Sequence, residues 1–409
     1  MAGSWFSAMG NGIAAAPVAA AFTVVACAAV LYSFLALFSL KRFAPPAAAA
    51  PAEALGVTVL KPLYGAETGL YEHLLSFCRQ NYAGPVQIIF GVHHHDDAAA
   101  AVARRLVAQA RAGNIEGAPA KLSVELMVDA TVHGTNGKVS NLINLSRRIE
   151  HPFVVLADSD ISVEPDYLDR LAAAIERPNV GLVTCLYRGK PLAGFWSRLG
   201  AMGVDYGFLP NVLTGMALNM AEPCVGATIA LRRDTLDAIG GFERVKDQLA
   251  DDYMLGEAVR ELGQKIAVAD FVVGHAHAER SLGEVWRRDL RWARTIHSLD
   301  PLGHIGSAVT FPVAWALLAV LVSGFSPAMV GLAGAAVLAR MILQLEIDRR
   351  FPGHDHALWL GPVRDLFSFA VFVASFLPGQ IHWRGRDYAL GEDGSMAPVE
   401  LEDAEAEIA

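Results

Sequence analysis

The stretch "VVLADSDI", Val154–Ile161, decides how the rest of the chain is read. It opens as a buried strand would and stops at two carboxylates, Asp158 and Asp160, with Ser159 between them. A second apolar run, in "FGVHHHDD" (Phe90–Asp97), also ends in acids. Around these two, short apolar runs alternate with helical patterns. Val57–Leu60, Val86–Val92, Leu122–Val128 and Phe153–Ala157 read as strands, and Gly69–Gln80, Ala98–Ala112 and Val139–Arg148 as helices. That rhythm predicts an α/β domain with a parallel, doubly wound sheet. Such a sheet binds ligands beyond the carboxyl ends of its strands, where strand order reverses, and both acidic stops fall at that edge. A single acid there is adequately explained as a turn or helix cap. Two such stops at one edge point to a site. On a turn, both acids of an Asp-x-Asp can reach one hard cation, Mg2+ or Mn2+, of the kind that shares its coordination shell with substrate phosphates. Neither a P-loop nor a Gly-x-Gly-x-x-Gly fingerprint accompanies the pair, which excludes the P-loop NTPases and the dinucleotide enzymes.

The chain has 409 residues, 53% of them apolar, and a mean hydropathy of +0.34, high for a soluble protein. The apolar residues are concentrated at the two ends. Ile13–Leu40 carries no charge and is followed by Lys41 and Arg42. About 20 apolar residues span a bilayer, so this is a membrane anchor, and the basic pair places the soluble domain on its C-terminal side in the cytoplasm. No basic residue precedes the run, unlike a secretory signal. Ile305–Ala339 is also uncharged and is broken by Gly324-Phe325-Ser326-Pro327, which predicts two helices joined by a tight turn. A shorter run, Leu366–Leu377, passes through the bilayer, re-enters it or lies at its surface. "APPAAAAPAEA" (Ala44–Ala54) reads as an extended linker. The stretch after Leu390 is acidic and reads as disordered; it supplies much of the net charge of -9, which therefore says little about partners. No nucleic-acid partner is expected.

Several smaller features have ordinary explanations. His93, His94 and His95 are adjacent and point in alternating directions, which argues against a shared ion, and His275 with His277 reads as a polar pair at a strand end. Cys27, Cys78, Cys185 and Cys224 form no Cys-x-x-Cys and are expected as free thiols. "NGKVSNL" (Asn136–Leu142) starts a helix, as a turn and cap or with Lys138 placed to meet a nucleotide phosphate. In Ser281–Leu299, the residues Leu282, Trp286, Leu290, Ala293 and Ile296 make an apolar stripe beside a basic one of Arg287, Arg291 and Arg294, which predicts an amphipathic helix at the bilayer surface.

The ordered set "VTVLKPLYG", "HHHDD", "NGKVSNL", "LADSDI", "CVGATIALRRD", "DDYMLGEAV" and "RDLRW", with "WRGRDY" (Trp383–Tyr388) near the end, resembles the ceramide glucosyltransferase family. That family belongs with the inverting family-2 glycosyltransferases of GT-A fold, and the bacterial hopanoid-associated glycosyltransferases are similar through the same motifs. The resemblance implies a GT-A-like mixed sheet domain over 57–280, flanked by one N-terminal and two to three C-terminal membrane helices. The remaining segments are an anchor over 1–42, a linker over 43–56, an interfacial helix over 281–300, a membrane region over 301–390 and a tail over 391–409. It further implies a multi-pass protein of the inner (cytoplasmic) membrane, with a UDP-sugar donor and a membrane lipid as acceptor. Ceramide with UDP-glucose is the first pair implied; a hopanoid polyol with UDP-N-acetylglucosamine is the alternative. By the same resemblance Asp97 meets the uracil or ribose. Asp158 and Asp160 hold the diphosphate through Mg2+ or Mn2+, with Asp160 the metal ligand. Asp252, rather than Asp251, is the general base. Arg288 or Arg291 neutralises the leaving diphosphate, and Trp292 packs beside the acceptor. A processive polysaccharide synthase would share the acids, but Arg288 stands where such enzymes carry Gln, and the membrane helices here are few.

Overall fold

The computed structural model describes residues 3–43, 54–351, 357–383, 386–391 and 394–399. Most of the expected linker, Arg384 and Gly385 of "WRGRDY", and the tail from Glu400 onward lie outside the described residues. The chain forms two compact units, each assembled from separated segments.

The first comprises Ala44–Gly194, Ala221–Ala278 and Gln380–Ala409. Its strands are β1 (Val57–Pro62), β2 (Val86–Val92), β3 (Leu122–Val128), β4 (Phe153–Leu156), β5 (Ile161–Ser162), β6 (Val180–Pro191), β7 (Ile229–Arg232) and β8 (Lys265–His277). They form one sheet in the order β3-β2-β1-β4-β7-β6-β8-β5. β1, β2 and β4 are buried along their whole length, which is why they read as unbroken apolar runs. Alternate residues feed opposite layers. Val57, Val59, Ile88, Phe90 and Val155 join one core, and Leu60, Ile89, Val154 and Leu156 the other. The helices Leu70–Cys78 and Ala98–Arg111 cover the first face, and Gly137–Ser146 the second.

The alternation of strands and helices predicts a parallel sheet, and β3, β2, β1 and β4 are parallel. The second half corrects that expectation: β7 runs antiparallel to both β4 and β6, giving the mixed sheet of a GT-A-like fold. β6 and β7 are joined by a segment, Phe195–Met220, that belongs to the other unit. No helix on the sheet carries the chain back to the starting edge, as a parallel crossover requires. A second correction concerns the acidic stretch after Leu390. Its described part is ordered: β11 (Met396–Pro398) pairs with β10 (Arg386–Leu390), which pairs with β9 (Ile381–Trp383).

The second unit comprises Met1–Phe43, Phe195–Met220 and Glu279–Gly379 and is helical. Two of its helices are long and apolar enough to cross a membrane, over Pro17–Arg42 and Pro327–Arg350; Pro301–Thr310 with Pro312–Val322, bent by 69°, adds a third if the pair is one span. The expected break falls between Val322 and Pro327, where Gly324 and Phe325 take φ of 64° and 61°. Small residues allow close helix approach: Ala26, Ala316 and Ala336 share a core with Val313. The short apolar run begins inside the helix Leu360–Ala374 and extends three residues past its end. The basic segment forms the helix Leu282–Leu299, and its stripe residues Leu282 and Ile296 are about half exposed, at 47% and 51%.

Candidate active site

Asp158 lies two residues past the end of β4, and the chain turns there into β5. Asn136 caps the Gly137–Ser146 helix, accepting from the N–H groups of Lys138 (2.9 Å) and Val139 (3.2 Å). The Lys138 ammonium lies 2.8 Å from Asp158 Oδ1 and 3.0 Å from Asp251 Oδ2. Burial opposes its charge, but Asp158, Asp251 and Asp252 hold it on, well above the ordinary lysine range. Lys138 thus ties two carboxylates together.

Asp251 and Asp252 open the helix Asp251–Glu261. Burial pushes both acids up; Lys138 offsets the effect at Asp251, while the Asp251 charge reinforces it at Asp252, which reaches about 6. Asp252 Oδ2 accepts from the Gly226 N–H at 2.7 Å, and Oδ1 from its neighbour Tyr253 at 2.8 Å. A Cβ placed on Gly226 would stand 3.2 Å from both Asp158 Oδ2 and Asp252 Oδ2. The two carboxylates therefore converge on the bare face of this glycine.

Asp160 lies on the other side of the turn. Its Oδ2 is 3.3 Å from His275 Nε2, and His275 Nδ1 is 3.1 Å from His277 Nε2. Its Oδ1 is enclosed and has no hydrogen-bond partner among the described residues. Burial and the Asp158 charge raise Asp160 to about 7. An enclosed carboxylate oxygen without a partner, next to a second carboxylate, is chemistry suited to a hard divalent cation. No group of three or more metal-ligating side chains is assembled among the described residues, so ligand oxygens would complete the shell.

Other expected residues take specific places. Asp97 caps the Ala98–Arg111 helix, Oδ1 accepting from Ala99 (2.8 Å) and from Gly65 (2.9 Å), so it ties the loop after β1 to that helix. His93 is held between the carbonyls of Asp129 and Gly137. Arg288, Arg291 and Trp292 belong to the helical unit. There Arg288 pairs with Glu279 and with Asp289 (2.7 Å), and its guanidinium lies 5.3 Å from the Trp292 ring centre.

Sequence reasoning gave no site role to three residues. Lys61, near the end of an apolar strand, is fully buried; it donates to the Asp158 carbonyl and lies 3.9 Å over the Phe77 ring. Burial lowers it to about 7 despite the nearby acids. A lysine inside a buried run was itself the available signal. His275 was recognisable from its two-residue spacing to His277, which puts both on one face. Gly226 had no signal of its own beyond its place in "CVGAT".

Comparison with known proteins bears on what this site serves. A model of glycosyl transferase family 21 matches residues 21–396. The chain belongs to glycosyl transferase family 21. This family-21 chain is 24% identical over 362 residues to ceramide glucosyltransferase 3 of Caenorhabditis elegans, covering 84% of this chain and 74% of that protein. It is 25% identical over 247 residues to ceramide glucosyltransferase 1 of the same organism, covering 60% of this chain and 51% of that protein, so it spans about half the length of that relative. Among solved structures, it is similar to the mannosyltransferase PcManGT from Pyrobaculum calidifontis in complex with GDP-Man and Mn2+, with a TM-score of 0.50 and 18% identity, covering 88% of this chain and 98% of the other. That likeness shows the shared GT-A fold. The match is thus to a family of glycosyl transferases, and two helices of this chain are long and apolar enough to cross a membrane.

Proposed function

We propose that the protein transfers one sugar from a UDP-sugar to a hydroxyl of a membrane lipid, with inversion, and that ceramide and UDP-glucose are its substrates. The observation that carries this reading is the convergence of Asp158 and Asp252 at Gly226. On this reading one of the two carboxylates serves the donor and the other accepts the proton, and both lie against one glycine. Ionised Asp252 takes the proton of the acceptor hydroxyl as that oxygen attacks the anomeric carbon. The bond from that carbon to UDP breaks, and its electron pair leaves with the diphosphate. Attack opposite the leaving group inverts the centre in a single displacement. Lys138 pairs with both Asp251 and Asp158 on one side, whereas Asp252 makes no ion pair among the described residues, which makes Asp252 the better proton acceptor of the two. Asp158 and Asp160 would hold Mg2+ or Mn2+, with His275 beside them; the cation, when bound, supplies positive charge to the leaving diphosphate. By the family resemblance, Arg288 or Arg291 would assist there, with Trp292 beside the acceptor; Arg288 also pairs with Glu279 and Asp289. Asp97 would fix the loop that borders the nucleoside. Lys41 and Arg42 support a cytoplasmic catalytic unit on an inner membrane.

Incubating the detergent-solubilised full chain with labelled UDP-glucose or UDP-N-acetylglucosamine, each against ceramide and a hopanoid polyol, tests this reading. Glucosylated ceramide alone is the expected product. The hopanoid product alone would replace the substrates and keep the chemistry, and a polymer formed without lipid would overturn the whole proposal.

A further inference from the structure

The turn that carries Asp158 and Asp160 is gripped by residues to which the transfer chemistry gives no part. The Ile161 N–H donates to the Asp158 carbonyl at 3.3 Å, which closes the turn. The same carbonyl accepts from the Lys61 ammonium. The Ser159 hydroxyl donates to Glu67 Oε2 at 2.7 Å. The Asp160 carbonyl accepts from the Ala276 N–H at 2.9 Å, which ties the far side of the turn to β8. Three successive residues are thus each held by a different part of the chain: β1, the loop after it, and β8.

Lys61 is the unexpected member of this set. It has no exposed surface, stands in β1 between Leu60 and Pro62, and holds its ammonium 3.9 Å from the centre of the Phe77 ring. Burying a charge among apolar side chains is destabilising unless its partners compensate. The carbonyl it meets already has one donor in the Ile161 N–H, so satisfying that oxygen does not require a lysine. What the ammonium adds is direction and charge. A charged donor holds a carbonyl more firmly than a neutral one, and so fixes the plane of the Asp158–Ser159 peptide. Its positive charge also lies against a turn that carries two carboxylates.

We infer that Lys61 is a positioning residue of the donor site: its grip on the Asp158 carbonyl sets the direction in which the turn offers Asp158 and Asp160 to the diphosphate and its cation. With no exposed surface, it touches no substrate and acts through the turn. Glu67, on Ser159, is the outer half of the same clamp. A turn fixed before the donor arrives loses little freedom on binding it, which favours affinity. The inference rests on the donor role proposed above for the two acids and extends it to the residues that aim them.

The test compares wild type with Lys61→Met, which keeps an unbranched stem against Phe77 and removes the ammonium, and with Ser159→Ala, which removes the outer contact. Each full chain in detergent is read by calorimetric affinity for UDP with Mn2+, by donor and acceptor KM, and by Tm. Lys61→Met should lower UDP affinity and raise donor KM at least tenfold, with acceptor KM changed less than twofold and Tm at or above that of wild type. Ser159→Ala should move UDP affinity and donor KM severalfold in the same directions, and it carries the test where the Met variant does not fold. UDP affinity and donor KM within twofold of wild type in the folded variants would overturn the clamp, whatever happens to Tm. Weakened UDP binding in a chain that transfers sugar to no lipid would remove the proposed reaction and leave the clamp standing. Transfer to lipid with UDP affinity unchanged in the variants would do the reverse, and a wild type that binds no UDP would overturn both.

Discussion

Asp252 accepts two backbone hydrogen bonds and makes no ion pair among the described residues, while Asp251 beside it is bound to Lys138. Asp252→Asn should therefore keep UDP-sugar binding and lose about 10²–10⁴-fold in transfer, measured by single turnover against donor binding. An Asn variant within a few-fold of wild type would move the base to Asp251. The raised carboxyl gives a pH dependence with a definite sign. Asp252 must be ionised to act, and burial and Asp251 raise it to about 6. Activity is thus present above that value and lost below it, so kcat/KM should fall about tenfold per unit as pH drops below about 6. A profile flat down to pH 4.5 would contradict the assignment. At Gly226, Ala would press its Cβ against two carboxylate oxygens at 3.2 Å. A shift of a few tenths of an ångström in either should cost about tenfold in kcat/KM with little change in Tm, as a displaced catalytic group does.

At the scale of elements, the segment Asp247–Leu249, just before the two acids, is held from both sides. Thr135 N–H donates to Asp247 Oδ1 (2.9 Å), and Asn136 to the Gln248 carbonyl (2.7 Å). From the other side, Met396 N–H donates to the Asp247 carbonyl (2.8 Å), Leu249 N–H to the Gly394 carbonyl (3.1 Å), and Met396 packs with Leu249, Ile381 and Tyr388. Met396→Ala should cost about 2 kcal/mol of stability in thermal melts and lower kcat more than donor KM. Unchanged kcat would show that β11 braces the fold without positioning the acids. These elements also mark where the sequence was readable. β1 to β4 and their helices were legible to within two or three residues because their strands are apolar runs, and β1, β2 and β4 are buried on both faces. β11 was hidden by the acids and glycines around it, since its pairing partner β10 supplies what its own composition lacks. The acids Asp158 and Asp160 could be named from their place just past a strand, and Asp252 from the family resemblance. Lys61 and the Lys138 link could not, because both depend on side chains meeting across layers of the sheet.

For the molecule as a whole, the helices Pro17–Arg42 and Pro327–Arg350 predict an integral membrane protein that resists carbonate extraction. Cysteines introduced at exposed positions such as Val132 should react with an impermeant maleimide in inverted vesicles and be protected in sealed spheroplasts, if the basic pair at Lys41 and Arg42 faces the cytoplasm. Protection in the vesicles would reverse the topology. The unit that carries the acids is threaded from three stretches of chain, and its last strands come after all the candidate spans. This fixes an order of events during synthesis. While the ribosome works through Glu279–Gly379, on the order of ten seconds, the acids are already made but Asp247–Leu249 still lacks its brace. Only a chain whose last candidate span has emerged can complete the loop ahead of Asp252, so a fragment stopped before that point should lack the transfer activity proposed above.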